Sequence, residues 1–165
     1  MPERRHLSFD GIDGVMPEVD QLLSGYETVG RWSLGQILRH LAVAVRLSTE
    51  GRQDAEPVDG PDRRRVYRRL FFRAGRFPDD IDPPLAILIP PDDCEVEQEA
   101  EALRDAFDRF KAHDGPFSPH PTLGALDKAE WSRFHAMHCA HHLGYASPRS
   151  GGISRGENDP GPDKS

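Results

Sequence analysis

A chain of 165 residues, 36% hydrophobic and 30% charged, is long enough to bury one core without disulfide staples and reads as a single soluble domain. Its two cysteines, Cys94 and Cys139, are too few for a disulfide framework or a thiolate zinc site. No run approaches the ~18 apolar residues of a membrane span, and the opening MPERRHLSFD lacks an apolar signal core, so the expected location is the cytoplasm.

The apolar residues Val15, Val19, Leu22 and Leu23 predict a first helix over 12–24. A second starts at Ser33, which forms a capping-box pattern with Gln36, and stops at Gly51. Its stripe of Leu34, Ile37, Leu38, Leu41, Ala44, Val45 and Ser48 faces a core. The net charge of −7 is unevenly spread, because RRRVYRRLFFRAGR (63–76) holds seven arginines and no acid. A basic block can meet nucleic acid or an anionic substrate. Val66, Leu70 and Phe71 lie at helical spacing there, however, and the acidic remainder repels phosphate. The segment is therefore read as a short helix with a solvated basic face, and nucleic acid is not an expected partner. In FPDDIDPPLAILIPPDD, five prolines bracket LAILI and favour an isolated extended segment over a sheet strand.

EVEQEAEALRDAFDRFKAH (95–113) predicts a third long helix, acidic at its start to match the helix dipole. Its stripe is Ala100, Leu103, Phe107 and Phe110. Asp127 and Glu130 open the last helix, which is expected to run to about Ala146. The expected architecture is all-α: a helix bundle of four principal helices, a short extra helix, and a proline-rich segment between the second and third long helices. Residues 1–146 make the domain and 147–165 a flexible polar tail.

HAMHCAHHLGY (135–145) places four histidines on the last helix. His138 and His142 are four apart and share a face, the spacing that lets two imidazoles ligate one ion. His135 precedes His138 by three, and His141 is turned about 100° from His142. Two seams fit the helix: Trp131, Phe134, His138, His141, Tyr145, or Trp131, His135, His138, His142, Tyr145. Either puts imidazole where a core asks for Leu or Ile, and buried imidazoles need partners. A metal ion, a polar network between helices, or a mostly exposed face would each account for them. A metal needs a further donor, and His40 flanks the apolar stripe of the second helix. His120, between prolines, either overlies such a site or serves its own turn. Tyr145 either donates to substrate or packs as a core aromatic, and Cys139 reads as a small buried hydrophobe.

WSLGQILRHLA and the later HPTLGALDKAEWSRFHAMHCAHHLGY resemble the DinB/YfiT-like metalloenzyme superfamily, and within it the branch named domain of unknown function 1569. The resemblance implies a four-helix bundle with one ligand histidine on the second helix and an H-x-x-x-H pair on the last. Carried onto this chain, these are His40, His138 and His142, holding a divalent ion: zinc or nickel first, manganese or iron as alternatives. His120, His141 and Tyr145 are then candidates for the substrate or for the layer around the ligands. Members commonly read H-R-G-Q where this chain has His142-Leu143-Gly144-Tyr145, so the arginine and glutamine are missing here. Activities in the superfamily include transfer of low-molecular-weight thiols such as bacillithiol or mycothiol, glutathione-type isomerisation, and hydrolysis. The expectation is a metal-dependent enzyme acting on a small molecule, with thiol-dependent transfer as the leading class and a homodimer as a compatible assembly. The rival is a metal-binding or stress-associated interaction protein without turnover.

Overall fold

The computed structural model describes residues 3–51, 60–79, 83 and 85–150. Five helices carry the all-α fold: α1 (Val15–Leu23), α2 (Leu34–Glu50), α3 (Pro61–Ala74), α4 (Val96–Ala112) and α5 (Lys128–Leu143). Two three-residue strands, β1 (Tyr26–Thr28) and β2 (Ala146–Pro148), pair antiparallel with Glu27 opposite Ser147.

The helices that carry the histidines begin where the sequence supplies caps. Ser33 Oγ accepts from the Gln36 amide at 3.2 Å, and Gln36 Oε1 accepts from the Ser33 amide at 2.9 Å. Asp127 and Glu130 repeat the reciprocal pair at the start of α5. Each box satisfies amides that a helix start leaves without partners. α2 packs most extensively along α4 and also meets α5, while α1 touches both α4 and α5. The shared core takes Val15, Val19 and Leu22 from α1, Ile37, Leu38 and Leu41 from α2, Leu103, Phe107 and Phe110 from α4, and Trp131, Phe134 and Leu143 from α5.

α5 is the inner helix. Every residue from Phe134 to Ala140 is buried, so no single apolar stripe runs along it. The two seams read from the sequence are therefore both largely inward.

The chain departs from the expected elements in several places. The first helix opens as a 3-10 turn over Ile12–Gly14 before α1 begins. α3 has no buried residue; of its expected stripe Val66 and Leu70 are 54% and 55% exposed, while Phe71, joined by Phe72, packs on the core. LAILI is not extended throughout, since Ala86–Leu88 forms a 3-10 turn with Leu88 buried. α5 stops at Leu143 rather than near Ala146, and the chain then enters β2. Residues 147 and 148, expected in the tail, are thus paired strand; the tail expectation from 151 onward lies outside the described residues.

β2 is held by the ribbon and by the N-terminal segment. The Arg5 amide donates to the Gly144 carbonyl at 2.8 Å, and Arg5 Nε donates to the Ala146 carbonyl at 2.7 Å. The approach is close enough that a Cβ at position 144 would lie 2.4 Å from the Arg5 carbonyl oxygen, so only glycine fits. None of the described helices is long and apolar enough to cross a membrane.

Candidate metal centre

His138 and His142 lie one turn apart on α5, and His40 faces them from the middle of α2. One ring nitrogen from each of the three falls within 4.8 Å of the others. His40 Nε2 and His138 Nε2 are 3.0 Å apart. The ring centroids stand 4.9 Å (His40–His138), 4.5 Å (His40–His142) and 4.7 Å (His138–His142) from one another, each pair steeply inclined. His40 and His138 are buried and His142 is half-buried.

The tautomer of His40 follows from its other nitrogen. Nδ1 lies 2.7 Å from the Leu88 carbonyl oxygen, which only accepts, so Nδ1 carries the proton. In the neutral ring, Nε2 is then a bare lone pair aimed at His138. A backbone carbonyl on the outer nitrogen is the arrangement that orients ligating histidines. LAILI thereby acquires a role: its 3-10 turn delivers this carbonyl.

Burial keeps the three rings neutral. Desolvation lowers His40, with the Leu88 hydrogen bond acting against it. His138 is pushed well below its ordinary value by burial, then by His142 and His40. His142 is lowered to about 2 by burial, then by His40, His141 and Arg4. Neutral imidazoles are the ligating form. The pattern fits a divalent ion on the chemistry of the donor set. Two nitrogens each about 2.0–2.1 Å from one tetrahedral ion stand ~3.3 Å apart, close to the separation of the His40 and His138 nitrogens. The group could hold a metal ion; its donors do not choose among imidazole-binding metals.

Aromatic rings wall the group. Trp32 stacks on His142 with centroids 5.7 Å apart and lies 5.0 Å from His40. Phe77 covers His138 at 4.8 Å. Neither ring was singled out for the site from the sequence. Trp32 shares the WSLGQILRHLA stretch with His40, but its stacking on His142 and the contact of Phe77 with His138 join segments remote in sequence.

His141 stands beside His142, rings nearly perpendicular with centroids 4.9 Å apart, but is outside the three-nitrogen group. Its Nδ1 accepts from Arg4 Nη2 at 2.7 Å, so its proton sits on Nε2. Arg4 also donates to Asp79 at 2.5 Å, and its guanidinium lies 4.6 Å from the centre of the Tyr145 ring. Tyr145, half-buried, thus packs under an arginine next to His141. His120 is placed elsewhere. Its Nδ1 accepts from the Thr122 and Leu123 amides at 3.1 Å, serving the turn before α5. It reaches the cluster only through Phe134, whose ring lies 4.8 Å from His120 and 5.7 Å from His138.

His135 is fully buried in a separate contact. Ser48 Oγ donates to the Val45 carbonyl at 2.6 Å, so at 3.0 Å it accepts from His135 Nε2. His135 Nδ1 has no partner, and burial lowers this imidazole to about 3. Cys139 is buried and its thiol is pushed up by desolvation, which makes it inert; Cys94 is likewise free.

The fold and the site together define a mostly helical protein with a three-histidine cluster between two of its helices. The chain belongs to the family described as Protein of unknown function (DUF1569), whose model matches residues 1–149. No curated protein and no solved structure matches it.

Proposed function

We propose that the protein is a metal-dependent enzyme of the DinB/YfiT-like type, with His40, His138 and His142 holding one divalent ion. It acts on a small molecule, with transfer of a low-molecular-weight thiol as the reaction class. In this reading α1, α2, α4 and α5 form a four-helix bundle and α3 is an addition to it. The shared core of those four helices and the absence of any buried residue on α3 support that view. The protein works in the cytoplasm, as a monomer or a homodimer.

One observation carries the reading: a lone pair on His40, fixed by the Leu88 carbonyl, meets His138 at 3.0 Å inside a group of three converging nitrogens. Three imidazoles leave an ion positions for other ligands, as catalytic sites do. Zinc or nickel suits this donor set best, with manganese or iron as alternatives. A bound ion would supply Lewis acidity, bringing a coordinated thiol or water to its deprotonated form near neutral pH.

The chain's own residues do the rest. Leu88 orients His40, while Trp32 and Phe77 exclude water from the flanks of His142 and His138. Arg4 fixes the ring of His141 and keeps its proton on Nε2. No acidic side chain lies between Trp131 and Tyr145 on the helix that carries the pair, so a carboxylate base is not part of the mechanism from that side. A metal-binding protein without turnover would be expected to close the site with a fourth ligand. Among the described residues the group comprises three.

Elemental analysis tests the site. Protein exposed in turn to zinc, nickel and manganese and then desalted is expected to retain about one ion per chain, and His138→Ala and His142→Ala to retain little. Equal, negligible metal in wild type and variants would end the proposal. Loss of a low-molecular-weight thiol in the presence of electrophile and loaded protein, absent from both variants, separates the enzyme from the binding protein.

A further inference from the structure

The three-histidine group is covered unevenly. His40 and His138 are buried and His142 is half-buried, so the His142 end is where a further group has the shortest way to a bound ion. Trp32 stacks on one side of that end, and His141 stands on another with its ring 4.9 Å from that of His142. Arg4 lies directly behind His141, its Nη2 donating to His141 Nδ1 at 2.7 Å. It is held in one pose. Its guanidinium rests 4.6 Å from the centre of the Tyr145 ring. The next residue, Arg5, is tied by its amide to the Gly144 carbonyl and by its side chain to Ala146 and Glu18. Binding a ligand to a guanidinium fixed in this way costs little further ordering.

The remaining contact of Arg4 is with a carboxylate. Nη1 donates to Asp79 at 2.5 Å, and the Asp79 side chain is 61% exposed against 25% for Arg4. Arg4 holds the Asp79 carboxyl below its ordinary value, by the hydrogen bond and then by charge, with His141 and Arg76 adding to the effect. The Nη1 edge of Arg4 thus already binds an anion on the side that meets water, one imidazole away from the least covered histidine of the group. An exposed ion pair of this kind adds little to stability, so the anionic group of a ligand can take the place of Asp79.

We propose that Arg4 is a specificity-determining residue of the histidine site: displacing Asp79, it binds an anionic group on the small thiol that the metal takes up. The inference rests on the metal-dependent thiol reading above and names the kind of thiol, one that carries a carboxylate or a similar acid. A planar guanidinium offers such a group parallel donors. Only the His141 ring separates the guanidinium from His142, so a sulfur on the ion and an acid on Arg4 fit within one small molecule.

The test loads the full chain with nickel and titrates thiols of matched length at low ionic strength, read by the thiolate-to-metal absorption band. The probes are 3-mercaptopropanesulfonate, the neutral 3-mercaptopropanol and the cationic 3-aminopropanethiol. Sulfonate is a weak metal ligand, so a preference for it reads the protein rather than chelation. Wild type is expected to bind the sulfonate thiol about tenfold or more tighter than the neutral one, and the cationic one most weakly. Arg4→Gln should bring the sulfonate thiol to within about twofold of the neutral one, with nickel retention and the neutral thiol's affinity unchanged. Arg46→Gln removes the same charge from an exposed position on α2 and should keep the preference. Asp79→Asn, which frees Arg4, should strengthen the sulfonate thiol alone, by up to about fivefold. Thiols bound without the preference, or with a preference that survives Arg4→Gln, overturn the inference and leave the metal site standing. So does equal weakening of all three thiols by Arg4→Gln, which means that Arg4 only props His141. A wild-type chain that retains no nickel, or retains it and takes up no thiol, overturns the underlying reading and this inference with it.

Discussion

His135 and His138 sit three residues apart on α5, both buried, and meet opposite surroundings. His138 faces another lone pair and two other imidazoles, an arrangement that a cation completes. His135 faces a serine whose own proton is committed elsewhere, with one ring nitrogen left over. Its cost is visible in pH. The folded imidazole titrates at about 3 against an ordinary 6.5, burial being the first cause and the nearby His120 the second. Below pH 6.5 the unfolded chain therefore binds a proton that the folded chain refuses. Stability from this group is full above 6.5 and is lost as pH falls toward 3. His135→Leu removes that linkage, and Ser48 keeps its bond to Val45. The difference in unfolding free energy between pH 7 and pH 5 should shrink by about 2 kcal/mol in the variant, measured by denaturant titration at each pH. An unchanged difference would mean that His135 protonates freely in the fold.

At the scale of elements, the capped helices were legible because capping is local. Ser33 with Gln36, and Asp127 with Glu130, announce α2 and α5 within four residues. The exit of α5 was not legible, since β1 and β2 are three residues each and their pairing joins Tyr26 to Pro148. The seam of α5 was ambiguous for a physical reason: a helix buried on nearly all sides gives no preferred periodicity, and its two candidate seams are both inward. His40, His138 and His142 were readable from the i, i+4 pair and the family resemblance together. Phe77 and Arg4 were not, because each reaches the cluster across long stretches of chain; Trp32 lies close to His40 in sequence, but its stacking on His142 from the far helix has no local signal. In α3, spacing named Val66, Leu70 and Phe71 as the inner face; Phe71 does pack, its ring against Phe77, Phe134 and Phe72, while Val66 and Leu70 stay exposed. The close passage of the N-terminal segment over α5 yields its own expectation. Gly144→Ala sets a Cβ against the Arg5 carbonyl and should lower stability by about 1–3 kcal/mol in thermal unfolding. Gly11→Ala, where an added Cβ meets nothing within 4 Å, is the near-neutral control.

For the molecule as a whole, a metal held by the histidine cluster would couple folding to metal. The three histidines come from α2 and α5, so an ion would add a second polar link to helices already joined by packing and by the His135–Ser48 hydrogen bond. An ion that binds the folded chain alone adds about 2.7 kcal/mol when free metal stands a hundredfold above its dissociation constant. Scanning calorimetry should show the melting temperature rising with zinc or nickel and returning when a chelator is added. The same scans on His138→Ala should show no metal-dependent shift. A wild-type melting temperature indifferent to metal would leave the three imidazoles as a polar network.

The pinned passage of Arg5 along Gly144 and Ala146 has a practical sequel. It brings the segment before α1 and the strand after α5 to one end of the molecule, with Arg4 reaching His141 beside a ligand. A segment fused ahead of the N-terminal strand-bound stretch would start near His141. A polyhistidine purification tag at the N-terminal side would be a tethered competitor at high effective concentration, able to lend or steal a metal ion. Metal stoichiometry is therefore best measured on tag-free protein.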